Sequence, residues 1–251
     1  MNISDLSALL KVATSSPTEA KALVKLLSVE VLKSLGNDTY LVKSDLKEFL
    51  ATSENSNQPL KEGMKLWAQV EQKSNQDAFL KSFLQLPKIM DQLSGLQDNF
   101  KASTLLEILN SKNPANALKE SVMEKMAQAT SKEQFSSLSQ MLLSLNHGVI
   151  TLPVYYENYY ALLQTKKRYN KESKKLSLDF YAALPFLGAI EGTIDLIEDE
   201  IYVNIDVEFE QSQKTLLSHV DELPYHVTIN IQKGVSALFD QEQLNLLDIS
   251  I

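Results

Sequence analysis

Chemistry needs particular side chains at particular spacings, so the histidines, cysteines and carboxylates are weighed first. The three histidines, His147, His219 and His226, are separated by intervals that fit no metal-binding signature. Cysteine is absent, which excludes disulfides, thiol nucleophiles and the usual zinc cages. The seven glycines are scattered, and neither a phosphate-cradling loop, a GxSxG elbow nor an HExxH helix can be written. Acid does recur at regular spacing. The stretch "LGAIEGTIDLIEDEIYVNIDVEFE", residues 187–210, places Glu191, Asp195, Asp206 and Glu208 on alternating positions. Such carboxylates can hold a divalent cation or act as a hydrolytic pair. On an exposed strand face they more often form a solvated surface that discourages edge-to-edge pairing. We therefore assign no catalytic residue, no metal site and no cofactor, and take Asp195, Asp206 and Glu208 as candidate contacts for a basic partner.

Two other clusters could touch a partner. "TKKRYNKESKK", residues 165–175, concentrates positive charge and contains Arg168, the only arginine; its pattern is that of a solvated hairpin tip. Tyr155, Tyr156, Tyr159 and Tyr160 fall on both faces of one strand, and Tyr155 and Tyr159 are candidates for a protein-binding patch. A net charge of −8 argues against general nucleic-acid binding, which rests on phosphate neutralisation. No apolar run approaches the roughly 20 residues of a membrane helix. The start "MNISDLSALLKVATSSP" has an early acid and no basic leader, so a cytoplasmic protein without a cleaved signal is expected.

The elements that must position these residues follow from periodicity. In 1–73, a short helix at 4–13 precedes alternating stretches around Val29–Val31, Tyr40–Val42, Phe49–Leu50 and Met64–Val70. Gly36-Asn37-Asp38 and "LKEG" supply turns, and four short strands suggest a small antiparallel barrel. Across 74–147 the apolar period becomes three to four. "DAFLKSFLQL", "KASTLLEILN", "PANALKESVMEKMAQA" and "SKEQFSSLSQMLLSL" read as helices, with Leu105, Leu118, Val122, Phe135, Leu138 and Leu142 on the buried stripe. Pro114, a Ser131–Gln134 capping box and Gly148 punctuate them. From 148 to 251 alternation returns. A hairpin at about 187–197 and 201–209, a helix at 211–223, a strand at "YHVTINIQ" and a tail strand at "NLLDISI" are expected. The fold class is α+β: a small N-terminal β-barrel-like module, a helical middle, and a C-terminal antiparallel sheet packed with one helix. That helix is expected to cover the apolar sheet face and leave the acidic one open.

The segment "LSLDFYAALPFLGAIEGTIDLIEDEIYVNIDVEFEQSQKTLLSHVDEL" resembles the C-terminal domain of flagellar hook-length control proteins. In that domain a Leu-Gly pair opens a strand after a turn, a third strand follows, and then a helix with repeated leucines. Leu187-Gly188 match the pair, Ile190, Ile194 and Leu196 the second strand, Ile201, Val203 and Ile205 the third, and Leu216, Leu217, Val220 and Leu223 the helix. "GNDTYLV", "FLATSE" and "LKEGMKLWAQV" are similar to a small β-module found ahead of that domain in divergent members. The family's long Pro/Gln-rich ruler region has no counterpart among these residues. The resemblance implies a non-enzymatic component of the flagellar type III export system. It would contact the cytoplasmic domain of the export-gate switch protein and act in the cytoplasm, with export through the flagellar apparatus left open. The alternative is a cytosolic adaptor or chaperone that holds a partner helix with its helical middle.

Overall fold

The computed structural model describes residues 24–44, 48–53, 59–72, 78–96, 100, 102–156, 159–170, 175–198 and 200–240. The helix expected at 4–13 and the tail strand at 245–251 lie outside them. Alternation in the first module produces strands that wrap on themselves. β1 (Val24–Gly36), β2 (Thr39–Ser44), β3 (Glu48–Ser53), β4 (Lys65–Gln72) and β5 (Ala78–Gln85) form a closed barrel in the order β1-β2-β3-β5-β4. β1 is shared, pairing with β2 at one end and β4 at the other. Val29, Val31, Tyr40, Val42, Leu66, Ala68 and Leu80 fill the interior. Gly36, Asn37 and Asp38 all take positive φ between β1 and β2, the turn chemistry that their types announced. Closure of the five strands, with one parallel pair, leaves the barrel without a free sheet edge, an arrangement that by itself implies no function.

The barrel departs from the sequence expectation in two ways. The stretch at 78–85 has helical spacing but forms the fifth strand. Leu80 pairs with Val70 and Ser82 with Gln69, leaving Lys81 as an extra residue. That bulge inverts the side-chain parity, so Ala78 and Leu80 join the barrel interior before it and Phe83 after it. Leu84 packs outward against a second core. A bulged strand buried on both sides therefore mimics a helix in its apolar spacing. The second departure is that β3 and β5 run parallel, because β4 intervenes in sequence and pairs with the other side of β5.

The helical middle holds α1 (Lys88–Leu93), α2 (Ala102–Leu109), α3 (Pro114–Ala127) and α4 (Lys132–Asn146). The Asn113 side chain accepts the Asn116 N–H at the start of α3, with Pro114 at the first helical position. Ser131 accepts from the Gln134 N–H at 3.0 Å, and the Gln134 side chain accepts the Thr130 N–H at 3.1 Å. Leu105, Leu118, Val122 and Leu138 are buried, whereas Phe135 stands exposed.

The last module is a six-stranded sheet of order β11-β10-β9-β8-β7-β6. Its strands are β6 (Val149–Tyr156), β7 (Tyr159–Asn170), β8 (Lys175–Leu184), β9 (Gly188–Ile197), β10 (Glu200–Val207) and β11 (His226–Ile231). Helix α5 (Glu210–Leu217) and a 3-10 turn at Val220–Glu222 connect the last two strands. The sheet is not wholly antiparallel: β10 and β11 are parallel, and α5 lies in the crossover that a parallel pair needs. One core joins all three regions, containing Leu26 and Trp67 of the barrel, Leu93, Leu118 and Leu138 of the helices, and Leu152, Leu162 and Tyr181 of the sheet.

Gly188 opens β9 at φ +73°, and a Cβ there would lie 2.9 Å from the Phe209 ring and 3.4 Å from the Leu26 side chain. Left-handed backbone and crowding both demand glycine. Gly188→Val should cost about 1–3 kcal/mol or more, read as a lower denaturation midpoint. Gly95→Ala, where nothing lies within 4 Å, should stay within about 0.5 kcal/mol of wild type. An unchanged midpoint in Gly188→Val would show the glycine to be incidental.

Candidate functional site

The two faces of the six-stranded sheet carry different chemistry, and register assigns each residue to one of them. On the side covered by α5, Leu178, Ile194, Val203 and Val227 form one cross-strand row. Phe180, Gly192, Ile205 and Ile229 form the row below it. Above it, Tyr169 pairs with Leu176 and Leu196 with Ile201. Helix α5 buries the lower part: Ile190, Ile205, Val207, Leu216 and Ile229 make one cluster. The upper part is not covered in the same way. Tyr169 is 60% exposed, Leu196 48% and Leu176 38%.

The reason is length. α5 has eight residues and so spans about 12 Å, while the ten residues of β9 span about 33 Å. The helix also lies at the β10–β11 side, bridging those two strands. The expected helix over 211–223 covers the apolar face partly, and an apolar strip over β7, β8 and β9 remains open. Sequence reading missed this strip. The signal was available in the alternating apolar positions of 176–180 and 194–201, whose length exceeds what one short helix can bury.

The opposite face gathers the acids. Asp206 and Glu191 sit in one cross-strand row with Thr151, Gln164, Tyr181 and Asn230. Asp195, Tyr202 and His226 share a row nearer the β9–β10 turn. Each acid singled out by sequence already has a partner inside the chain. Asp195 accepts from the Ser177 hydroxyl, and Asp206 accepts from the Asn230 amide at 3.1 Å. Glu208 accepts the backbone N–H groups of Gly234 at 2.8 Å and Val235 at 3.4 Å.

Those contacts tie down a strap, residues 233–240, laid over this face. Val235, Ala237 and Phe239 are buried at alternate positions. Glu191 accepts from the Ser236 N–H and from the Gln232 amide, both at 3.1 Å. The fully buried Gln164 amide donates to the Phe239 carbonyl at 2.9 Å and accepts its N–H at 3.1 Å. A side-chain amide thus reads the strap backbone as a neighbouring strand would. Burial under this strap raises the Tyr181 pKa, with Asp240 and Glu191 adding to the effect.

The remaining candidates are scattered. Tyr155 stacks on Tyr160 at 4.8 Å and donates its hydroxyl to the Leu93 and Ser94 carbonyls, so it anchors a helix end and is half-buried. Burial raises the pKa of both phenols. The Tyr159 side chain lies outside the described residues. Arg168 pairs with Asp179 at 2.6 Å. His147 faces Phe239, His219 contacts Glu222, and His226 stacks on Tyr202 and reaches Glu200 at 3.3 Å. Among the described residues, no group of three or more His, Cys, Asp or Glu side chains could hold a metal ion. No described helix is long and apolar enough to cross a membrane. Comparison with protein-family models, curated proteins and solved structures finds no match for this chain.

Gln164→Leu should leave the buried Phe239 N–H and C=O without partners, at a cost of roughly 2 kcal/mol or more. Limited proteolysis should then cut within 233–240. Glu208→Ala should loosen the same strap, and Glu208→Gln, which keeps an acceptor oxygen, should do so less. A strap equally resistant in all three variants would show that these side chains do not hold it.

Proposed function

We propose that this protein is a non-enzymatic component of a flagellar type III export system. It acts on the cytoplasmic side by contact with the cytoplasmic domain of the export-gate switch protein and biases which substrates are secreted. The observation that carries the reading is the unit from Leu187 to Ile231. A Leu-Gly pair opens β9, a tight turn leads to β10, α5 follows with Leu216 buried, and β11 returns parallel beside β10. Up to the helix, this follows the order of elements on which the resemblance to the hook-length control domain rests. The glycine that marks the pair occupies a left-handed, crowded position, which gives the motif a physical reason to be glycine.

The adaptor alternative would need an open apolar groove in the helical middle. Leu105, Leu118, Val122 and Leu138 instead lie in the core shared with barrel and sheet.

Deletion of the gene in its flagellated host should yield hooks of uncontrolled length or cells without filaments, scored by electron microscopy. The purified chain should bind the purified cytoplasmic domain of the switch protein in calorimetry. Normal hooks together with no binding would overturn the proposal.

A further inference from the structure

We infer that the open apolar strip beside α5 is a docking site for an amphipathic helix of a partner protein, which completes the helical layer over β7, β8 and β9. The inference rests on the functional reading above and names the surface and the chemistry of its partner. The floor is formed by Tyr169, Leu176, Leu178, Ile194, Leu196 and Ile201, which register places on one sheet face. Tyr169, Leu176 and Leu196 are among the protein's exposed large apolar residues. Contiguous exposed apolar surface with a polar rim marks an interaction site.

Shape selects the occupant. α5 already stands on this face as a ridge one helix thick, about 10 Å. A second helix lying alongside would touch both the floor and the ridge, whereas an extended segment on the floor would leave the upper half of that wall uncovered. The three rows from Phe180–Gly192 up to Leu176 and Leu196 span about 13 Å along the strands. That matches two to three helical turns and an i, i+3, i+4, i+7 stripe. Gly192 keeps the floor low in the first row, since a Cβ there would meet the Phe180 ring at 2.7 Å.

Charge gives the occupant an orientation. The end of the groove at the β9–β10 turn and the α5–β11 connection carries exposed Glu198 and Asp221, with Glu222 beside His219. Lys167, paired with Leu178, flanks the β7 side. A helix whose N-terminus or basic residues lie toward these acids is favoured, because helix N-termini and cations are both attracted by carboxylates.

The test titrates the full chain with the labelled cytoplasmic domain of the export-gate switch protein from the same host. Leu196→Glu and Leu176→Glu should each weaken binding at least tenfold. The Glu198→Lys, Asp221→Lys double variant should weaken it severalfold and flatten its salt dependence. Leu50→Glu, on an equally exposed barrel leucine, should bind as wild type does. Hydrogen exchange on the complex should protect an amphipathic helical segment of the partner. Undiminished binding by Leu196→Glu and Leu176→Glu would overturn the surface assignment while leaving the functional reading intact. Protection of an extended partner segment would overturn the helix. Absence of binding by the wild-type chain would overturn the functional reading and this partner with it. A wild-type dimer in light scattering that Leu196→Glu dissolves would show a second copy on the strip and overturn the inference.

Discussion

The contact on which the architecture depends is the approach of the Phe209 ring to the backbone of Gly188. Three parts of the molecule meet there. Gly188 begins β9, Phe209 precedes α5, and Leu26 of the barrel reaches the same point. The Ser212 hydroxyl donates to the Leu187 carbonyl at 2.6 Å, tying the first turn of α5 to the residue before the glycine. A side chain at 188 would push the ring, and with it the helix start, away from the strand. The start of α5 is fixed at this junction, and its length from there sets how much of the apolar face it covers. The barrel enters through Leu26 and, farther along the same wall, Trp67, both buried in the core that contains the helices. Barrel, helices and sheet share apolar surface for this reason, and the barrel's β1–β4 wall meets the common core through these two residues.

Sequence periodicity was a sound guide wherever an element buries one face. The β9–β10 hairpin alternates because one side meets α5 and the other carries polar groups. The ends of α3 and α4 were legible because Asn113, Ser131 and Gln134 satisfy backbone donors that the helix itself leaves unpaired. Legibility failed where both faces are buried or where a bulge changes parity. β5 does both, and its apolar residues fall at helical intervals by geometry rather than by helix formation. Direction was missed at β10–β11 for another reason. Parallel neighbours need a crossover, which α5 supplies, but a helix between two strands does not by itself fix their direction, so the elements were legible and the direction was not.

The acids show a different limit. Alternating carboxylates on a strand indicate which face is polar and leave open what they touch. Glu191 and Glu208 serve as acceptors for backbone N–H groups of the strap, groups that the strap cannot satisfy by pairing with a strand. Charged acceptors make stronger hydrogen bonds than neutral ones, which suits a segment held mainly through side chains. Gln164, seventy-five residues away in sequence from Phe239, performs the same task from a fully buried position. No local pattern encodes that pairing. An isolated glutamine between Leu163 and Thr165 gives no sign that a backbone will lie across it.

The two faces thus reach burial by unlike routes. On the polar face, a strap supplies Val235, Ala237 and Phe239 from outside the sheet, and the sheet contributes acceptors that fix it. On the apolar face, one eight-residue helix, extended only by the 3-10 turn at Val220–Glu222, is asked to cover strands almost three times its length, and the described residues between 149 and 240 hold no further helix. A sheet of this kind is stable with part of one face open, because the lower rows and the core shared with the barrel already anchor it. The open rows therefore carry little of the fold's stability. A site of this sort can bind and release a partner without unfolding its owner, since the strands beneath it are held at their other end.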